Sequence, residues 1–475
     1  MNISCPRLVV AALRGGGGKT TISLGLIAAW RRQGHLVVPF KKGPDYIDAG
    51  WLSLAAGRSC FNLDTYMMSR EKVLASLALR SARNADLCLI EGNRGLYDGT
   101  DVSGTHSTAE LAKLVNSPVI LVVDCTKVTR TLAAIVLGLK QFDPAVSIRG
   151  VVLNHVATSR QEALVRSTVE NYTGLPVLGA VPRIRGENLP QRHLGLVPVQ
   201  EHPETKRVCD MLADLAEKHI NLDQLLELAG KAQPKSAPAV LWPQPAPESK
   251  SRVKIGVIRD SAFQFYYPEN LEFLEKIGAE LITFSALSEG KLPEVDALYL
   301  GGGFPETHAE LLAGNEDLRI ALLKAAKAGL PVYAECGGLV YLGRELIYKG
   351  KVFPMTGFFP VTFGLEARPQ GHGYTILEAV ETNPFFTPGQ ELIGHEFHYS
   401  HPLEYDPDQL KLALKVKRGF GFDQGMDGLT KQNVLGMYTH LHALGNTTWA
   451  EALVQRAAEF RVARDAKMKR DVNVS

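Results

Sequence analysis

The run of four glycines at residues 15–18, followed by a lysine and two threonines, constrains the fold of this chain more than any other feature. An apolar segment at residues 8–13 precedes it and predicts a buried strand, and residues 20–32 have the pattern of a helix that ends before Gly34. Glycines allow backbone N–H groups to close around phosphate oxygens, and the start of the helix adds partial positive charge. The segment therefore predicts an α/β domain that binds nucleotide phosphates; a flexible glycine loop without nucleotide is the alternative.

The loop departs from the common phosphate-loop pattern GxxxxGK[ST], because Leu13 stands where that pattern has its first glycine. It matches instead the variant KGGxGK[ST], with Arg14 in place of the first lysine. We expect Lys19 to reach the β- and γ-phosphates of ATP and the Thr20 hydroxyl to ligate Mg²⁺. The predicted ATP-binding residues of the loop are Gly15, Gly16, Gly17, Gly18, Lys19, Thr20 and Thr21.

Further apolar runs alternate with helical patterns along two stretches of the chain. They lie at residues 36–40, 87–90, 119–123 and 150–153 in the first stretch, and at 253–258, 279–284, 297–300 and 331–335 in the second. Runs that are apolar throughout are typical of parallel strands covered by helices on both faces. Residues 230–251, rich in proline and alanine, separate the two stretches. We predict two doubly wound α/β domains at 1–229 and 252–460, joined by a linker at 230–251 and followed by a charged tail at 461–475.

Acidic residues follow two predicted strands of the first domain. Asp45 comes after the strand at residues 36–40, and Glu91 follows the strand at 87–90. Ligands of doubly wound sheets bind beyond the C-terminal ends of the strands, and carboxylate oxygens suit a hard cation. We predict that Thr20, Asp45 and Glu91 hold Mg²⁺, although either acid taken alone can instead be a helix cap.

Cys336 lies between a predicted strand and a helical pattern, and Gly337 follows it. This arrangement is that of a nucleophile elbow with cysteine as the attacking residue. The start of the following helix is expected to lower the pKa of the thiol. The N–H of Gly337, with Gly302 and Gly303 after another predicted strand, can form an oxyanion hole and bind glutamine. The alternative for Cys336 is a buried structural thiol.

A cysteine nucleophile needs a base, and two histidines stand late in the chain. They are His440 and His442 in the segment at residues 436–442. Either imidazole can polarise the Cys336 thiol. The residues themselves leave the choice between the two histidines open.

Charge and cysteine content exclude several classes of protein. The chain has 52 Lys and Arg against 50 Asp and Glu, a net charge of +2, which argues against a nucleic-acid-binding protein held by bulk electrostatics. The six cysteines are scattered without a CxxC pair, and the longest apolar runs are too short to span a bilayer. We expect a cytoplasmic protein that binds neither nucleic acid nor membrane; its oligomeric state is not specified, and a homodimer is left open.

Taken together, these motifs resemble the cobyrinic acid a,c-diamide synthase family, which includes hydrogenobyrinic acid and nickel-sirohydrochlorin a,c-diamide synthases. The first half is similar to phosphate-loop synthetases related to dethiobiotin synthetase and to MinD-type ATPases, and the second half to class I glutamine amidotransferases. The resemblance covers most of the chain. It rests on residues 39–48, 91–92, 95–99, 150–154, 190–196, 259–260, 263–267, 301–306, 333–338 and 438–440.

The resemblance implies a ligase that uses ATP, Mg²⁺ and L-glutamine to convert the a- and c-acetate carboxylates of a tetrapyrrole to amides, through an acyl phosphate. Cys336, with His440 as its base, would release ammonia from glutamine. Asn154 is placed like the asparagine that reads adenine. The residues that the resemblance places near the substrate or behind the metal ligands are Asp48, Tyr46, Arg94, Tyr97, Asp98, His106, Arg192 and His193.

Two departures from this pattern leave questions open. Triad amidotransferases carry His-x-Glu, but His442 occupies the third position here, as in cobyrinate-type members, so the group that orients His440 is undefined. Asn93 and Arg94 stand where corrinoid-amidating members more often carry apolar residues. The tetrapyrrole, its metal, and the order and number of amidations stay open, and sirohydrochlorin, siroheme or Ni-sirohydrochlorin are alternative substrates. A MinD- or ParA-like ATPase switch is the alternative from another class, which the Cys336 domain argues against.

Overall fold

The computed structural model describes residues 1–82, 85–183, 191–192, 195–202, 204–239, 242 and 252–474, without the side chains of 191–192, 195–196 and 471–474. The chain divides into two compact units, Met1–Leu241 and Trp242–Ser475. Within the described residues, every helix falls short of the length or the hydropathy that a membrane span requires.

Strands and helices alternate along the first unit. Its described strands are β1 (Asn2–Ile3), β2 (Arg7–Ala12), β3 (Val37–Lys42), β4 (Phe61–Leu63), β5 (Leu87–Glu91), β6 (Val119–Asp124), β7 (Ile148–Val156), β8 (Val177–Pro182), β9 (Gln191–Arg192), β10 (Gly195–Leu196) and β11 (Lys235–Ser236). Its described helices are α1 (Lys19–Arg32), α2 (Ile47–Ala56), α3 (Arg70–Ser81), α4 (Thr108–Leu114), α5 (Thr131–Phe142), α6 (Ser159–Thr173), α7 (Thr205–His219) and α8 (Leu222–Gly230), with a 3₁₀ turn at Val199–Glu201.

The main sheet of this unit has the order β4-β3-β5-β2-β6-β7-β8, and every neighbouring pair is parallel. The chain builds one side of the sheet as far as β5 and then crosses to the other side of β2 with β6. A switch point of this kind opens a crevice beyond the C-terminal ends of the strands, where ligands bind. The glycine loop leaves β2 at that place.

One face of this sheet packs against α1, α2, α7 and α8. Trp30 of α1 and Trp51 of α2 are fully buried there, together with Leu212 and Leu225 from the two later helices. Aromatic side chains of this size remove a large apolar area from water and dominate the energetics of a core. The start of α1, and with it the glycine loop, is therefore fixed by a rigid layer.

The second unit carries more strands than the first. Its described strands are β12 (Val253–Ile258), β13 (Phe263–Phe265), β14 (Ala279–Phe284), β15 (Ala297–Leu300), β16 (Gly302–Gly303), β17 (Val332–Glu335), β18 (Glu345–Tyr348), β19 (Lys351–Pro354), β20 (Thr362–Leu365), β21 (Gly371–Ala379), β22 (Glu391–His398), β23 (Ser400–Glu404), β24 (Lys411–Arg418), β25 (Met426–Lys431), β26 (Val434–Met437) and β27 (His440–Leu441). Its described helices are α9 (Pro268–Lys276), α10 (Ala309–Gly314), α11 (Glu316–Lys327), α12 (Gly337–Leu342) and α13 (Thr448–Val474), with 3₁₀ turns at Pro305–His308 and Pro407–Gln409.

The main sheet of the second unit is mixed. Its order is β14-β12-β15-β17-β26-β25-β24-β21-β22-β27; the first five strands are parallel, and the rest continue antiparallel. β19, β18, β20 and β23 form a smaller sheet, and β13 pairs with β16. Gly302–Gly303 follows the end of β15 and Cys336 follows the end of β17, and these two strands are parallel neighbours, so both predicted features lie at one edge of the sheet.

The two α/β units with parallel strands confirm the predicted fold class. Each predicted strand forms, and β7 is longer than predicted. The antiparallel half of the second sheet was not predicted. Within the predicted linker, β11 pairs with β1, the Trp242 ring stacks on Phe273 at 5.3 Å, and most other residues lie outside the described chain. The predicted tail continues α13, where Arg464 lies 3.0 Å from Asp296.

Candidate active sites

The glycine loop of the first unit turns directly into α1 and packs against β7. Gly16 and Gly18 have φ angles of 71° and 91°, which glycine adopts without strain. The Asn154 side chain on β7 donates to the Gly17 carbonyl at 3.3 Å. A Cβ on Gly18 would lie 2.1 Å from Asn154 Nδ2, so a side chain here would displace the Asn154 amide as well as strain the backbone. Gly15 and Gly16, by contrast, face open space, and Thr21 lies in the first turn of α1.

The side chains of Lys19 and Thr20 connect the loop to the end of β5. The Lys19 ammonium donates to the carbonyls of Arg94 at 2.8 Å and Arg14 at 3.3 Å. Burial, with the charge of Lys41 nearby, lowers the pKa of Lys19. The Thr20 hydroxyl donates to Glu91 Oε1 at 2.7 Å.

A buried lysine lies among the acidic residues of this site. Lys41 Nζ lies 2.6 Å from Asp48 and 2.8 Å from Glu91, and Asp45 accepts the Asp48 N–H at 2.8 Å. Burial opposes the charge of Lys41, but Asp48, Glu91 and Asp45 outweigh it and raise the pKa of the ammonium. Burial, with Asp48 close by, raises the pKa of Asp45 to about 7, and burial also raises the pKa of Glu91. We call Lys41, Asp45, Asp48 and Glu91 the Lys41 cluster.

The Lys41 cluster fits a hard cation that takes its other ligands from phosphate and water. Glu91 Oε2 is buried without a hydrogen-bond partner among the described residues, so one carboxylate oxygen is left unsatisfied. Thr20, Asp45 and Glu91 offer oxygen ligands, which Mg²⁺ prefers. The described residues contain no group of three or more His, Cys, Asp or Glu arranged to hold a metal alone. A Mg²⁺ site does not need such a group, because Mg²⁺ is commonly bound by one or two carboxylates plus substrate phosphates.

The segment after β5 carries three of the residues predicted near the substrate. Arg94 is exposed and has a φ of 51°, in the left-handed region. The Asp98 side chain accepts the Gly95 N–H at 2.8 Å and so shapes this turn. The Tyr97 hydroxyl donates to the Leu139 carbonyl at 2.7 Å, which turns its polar end toward α5. Arg94 and Asp98 are thus exposed to solvent, whereas the Tyr97 hydroxyl is already bonded to the backbone.

Of the other predicted substrate residues, the structure describes the side chains of Tyr46 and His106. Tyr46 is half-buried at the start of α2, next to the Lys41 cluster in sequence. His106 has a φ of 63°, and its Nδ1 lies 2.9 Å from the Thr65 hydroxyl. The Arg192 side chain and the whole of His193 lie outside the described residues.

Cys336 in the second unit stands on a strained turn between β17 and α12. Its φ of 47° and ψ of −101° are unusual for a residue with a side chain. Its N–H donates to the Met437 carbonyl at 2.8 Å, which ties the turn to β26. The expectation of a lowered thiol pKa was wrong: burial, followed by the charge of Glu306, raises the pKa of Cys336, and the N–H of Gly337 offsets this only in part. The buried thiol therefore depends on a base for activation.

The Gly302–Gly303 strand lies between the cysteine turn and His440. A Cβ on Gly337 would be 3.0 Å from the Gly303 nitrogen, and a Cβ on Gly302 would be 2.4 Å from His440 Cε1. Glycines at 302, 303 and 337 thus allow the backbone to pack closely in the region between Cys336 and His440.

The two late histidines have different surroundings. His440 Nδ1 lies 3.4 Å from Glu335 Oε2, and its ring stacks on His395 with centroids 5.0 Å apart. His442 is fully buried, and its Nε2 lies 3.6 Å from Glu269 Oε2. Of the two, His440 is the histidine that contacts Gly302.

Comparisons with known proteins match each half of the chain to a known domain family. A family model described as the CobQ/CobB/MinD/ParA nucleotide binding domain matches residues 8–196, and one described as the CobB/CobQ-like glutamine amidotransferase domain matches residues 254–448. The cobyrinate a,c-diamide synthase of Archaeoglobus fulgidus is 44% identical over 453 residues, 95% of this chain and 97% of the relative. The proteins of the same name from Magnetococcus marinus and Listeria innocua are 42% and 38% identical over 456 and 441 residues, covering 95% and 93% of this chain and 97% of each relative.

The chain belongs to the cobyrinate a,c-diamide synthase family. Membership in this family confirms the predicted enzyme class, a glutamine-dependent amide-forming ligase. The nucleotide-binding domain of the first unit implies that the enzyme uses ATP.

Two residues of these sites were missed by sequence reasoning. Lys41 belongs to a segment on which the resemblance to the family rests, but a lysine inside a strand gives no sign that it will pair with buried acids. Glu335 immediately precedes Cys336, and its partner His440 is 105 residues away. Adjacency to the nucleophile was the available signal for Glu335, and its contact with His440 becomes evident only in the fold.

Proposed function

We propose that this enzyme amidates the a- and c-acetate carboxylates of cobyrinate, using MgATP and glutamine. The relatives that match almost the full length of the chain are named cobyrinate a,c-diamide synthases, which supports this substrate. The observation that carries the proposal is the presence of two chemically complementary sites in one chain: a phosphate loop with buried acids, and a strained cysteine beside a histidine.

The phosphate-loop site activates the carboxylate. An unactivated carboxylate does not react with ammonia, because its oxygen is a poor leaving group. The substrate carboxylate attacks the γ-phosphate, giving an acyl phosphate and ADP, and Lys19 neutralises charge as it develops. Thr20, Asp45 and Glu91 would hold Mg²⁺, which supplies further charge neutralisation at the phosphates. Asn154 would contact the nucleotide from β7, with Gly15, Gly16, Gly17, Gly18 and Thr21 around the phosphates.

The cysteine site supplies ammonia. Cys336, deprotonated by His440, attacks the amide carbon of glutamine, and N–H groups at Gly302, Gly303 and Gly337 stabilise the oxyanion. Ammonia leaves with the proton that His440 carries, and water then hydrolyses the glutamyl thioester. Ammonia rather than ammonium must reach the acyl phosphate, because only ammonia has a free lone pair.

We assign the ATP-dependent step to residues 1–229 and the glutaminase step to residues 252–460, with 230–251 as linker and 461–475 as a charged tail. Arg94, exposed beside the phosphate loop, is suited to a substrate carboxylate because its guanidinium is a planar fork of donors. Tyr46, Asp48, Tyr97, Asp98, Arg192 and His193 complete the proposed substrate region.

Replacement of the nucleophile tests the proposal. Cys336→Ser should lower glutamine-dependent product formation by at least about 10⁴-fold while sparing synthesis from added ammonia. Cys209→Ser, which alters a half-buried cysteine of the first unit, is the control. Unchanged glutamine-dependent activity in Cys336→Ser would refute the coupling of the two sites.

Mass spectrometry identifies the substrate. The enzyme is incubated with ATP, Mg²⁺ and glutamine, and with either cobyrinate or sirohydrochlorin. We expect two successive replacements of OH by NH₂ on cobyrinate. Amidation of sirohydrochlorin alone would overturn the substrate assignment and leave the ligase chemistry intact.

A further inference from the structure

Glu335 is a buried carboxylate that the proposed chemistry does not yet use. It ends β17, directly before Cys336, and is fully buried. Its oxygens accept the Leu441 N–H at 3.2 Å and the hydroxyls of Tyr333 at 3.0 Å and Tyr299 at 3.3 Å. Burial, with Glu335 close by, raises the pKa of both tyrosines, so their phenols stay protonated and remain donors. These donors hold the carboxylate in one orientation.

That orientation brings Glu335 to one nitrogen of His440. Glu335 Oε2 lies 3.4 Å from His440 Nδ1. An ionised carboxylate only accepts, so Nδ1 carries the proton and Nε2 keeps its lone pair. The Cε1 edge of the ring, which both nitrogens flank, faces Gly302: an added Cβ there would lie 2.4 Å from Cε1, 3.2 Å from Nε2 and 3.5 Å from Nδ1. Because Nδ1 carries the ring proton, Nε2 is the nitrogen that can take a proton from the thiol.

A second imidazole fixes the plane of the His440 ring. His395 stacks on it at an interplanar angle of 22°. Burial, followed by the neighbouring His440 and His442, lowers the pKa of His395 well below its ordinary value, so this ring is neutral. The stacked ring restrains His440 without opposing a positive charge on it.

The neighbouring pair of His442 and Glu269 shows the opposite arrangement. His442 Nδ1 accepts the Leu444 N–H at 3.1 Å, so the ring proton sits on Nε2, and Nε2 lies 3.6 Å from Glu269. Both side chains are fully buried. In this tautomer the only ring lone pair of His442, on Nδ1, already accepts the Leu444 N–H, which leaves none for the thiol.

We propose that Glu335 is the positioning residue of the glutaminase site. It fixes the Nδ1–H tautomer of His440 and stabilises the imidazolium that forms when the proton moves from Cys336 Sγ to Nε2. The thiolate then attacks the amide carbon of glutamine, and the carbon–nitrogen bond breaks as Nε2 returns the proton to the departing ammonia. Glu335 remains a hydrogen-bond acceptor throughout, as the acid of a catalytic triad does. The inference rests on the proposed roles of Cys336 and His440.

The variant Glu335→Gln tests this role. Its amide can donate to Nδ1 and impose the wrong tautomer, so glutaminase kcat should fall at least about 10²-fold; the comparable acid-to-amide change in serine proteases costs about 10⁴-fold. The KM for glutamine and the synthesis of amide from added ammonia should change little. Glu335→Asp retains the charge and should recover part of kcat. Glu269→Gln makes the same chemical change at the other buried pair and should leave glutaminase kcat unaltered.

A spectroscopic measurement keeps the test independent of folding in the variant. Nitrogen NMR of ¹⁵N-histidine-labelled wild-type protein should show His440 protonated at Nδ1, with the signal assigned by its loss in His440→Asn. Protonation at Nε2 in the wild type would overturn the proposal, and so would a kcat of Glu335→Gln within about threefold of the wild-type value. If Cys336→Ser abolishes glutaminase activity while Glu335→Gln does not, the role of Glu335 alone is refuted. If Cys336→Ser also retains glutaminase activity, the proposed function itself is refuted.

Discussion

The contact between Gly302 and His440 makes a quantitative prediction. In Gly302→Ala the new Cβ would lie 2.4 Å from His440 Cε1, whereas carbon atoms in contact are at least about 3.5 Å apart, so the shortfall is about 1.1 Å. His440 cannot retreat freely, because Glu335 lies 3.4 Å from its Nδ1 and His395 is stacked on its ring. A misplacement of this size in a catalytic group costs about 10²-fold in rate, which corresponds to about 2.7 kcal/mol in the barrier.

The assay is glutamate release from glutamine, compared with amide formation from added ammonia. Gly302→Ala should lower the first rate about 10²-fold and leave the second unchanged. Gly290→Ala is the control, since a Cβ at Gly290 meets nothing within 4 Å. A glutaminase rate for Gly302→Ala within about threefold of that control would refute the placement of His440 against this glycine.

Three further predictions concern nucleotide binding and stability. Gly18→Ala should abolish ATP binding in calorimetric titrations, because the φ of Gly18 is 91° and a Cβ would lie 2.1 Å from Asn154. Gly34→Ala is the control: Gly34 has a similar φ of 92° but faces open space, so this variant should lose only about 1–2 kcal/mol of stability and still bind ATP. Lys41→Met should lower the unfolding free energy of the first unit by about 3–5 kcal/mol in urea titrations, because it leaves buried carboxylates without their cation; a loss below about 1 kcal/mol would contradict this. Burial raises the pKa of Asp427 from 3.8 to about 6, so the folded protein gains stability as the pH falls through that interval. The wild type should therefore gain about 2 kcal/mol relative to Asp427→Asn between pH 6 and pH 4 in melting experiments, and a constant difference would contradict the raised pKa.

Much of the fold follows from local sequence signals. Strands such as β2 and β12 are apolar throughout because helices cover both faces of a parallel sheet, and this pattern is visible without a structure. The antiparallel strands are harder to predict. β24, for example, mixes lysines with apolar residues, because part of the strand is exposed to solvent. Its pairing with β21 and β25 joins segments that no local pattern connects.

Some residues of the candidate sites could likewise be predicted from local sequence signals, and others could not. The phosphate loop, Glu91 and Cys336 can be recognised from the sequence, because each stands at a strand end beside a recognisable turn. The pKa of Cys336 was predicted in the wrong direction, since the start of a helix is visible in a sequence but the burial of a thiol is not. The group that orients His440 was left undefined for a related reason: Glu335 reaches that ring only when two distant strands come together.

The position of β27 has a consequence for control of the enzyme. This strand is two residues long, is the outermost of its sheet, and pairs with β22 through Gly394 and His395. Outer strands with few pairing partners open most readily in local fluctuations, long before a protein unfolds as a whole. Since the proposed base is carried on this strand, its position depends on a single neighbouring strand and on side-chain contacts such as that of Glu335, which accepts the Leu441 N–H. A small local rearrangement there would suffice to stop wasteful hydrolysis while the rest of the molecule stays folded.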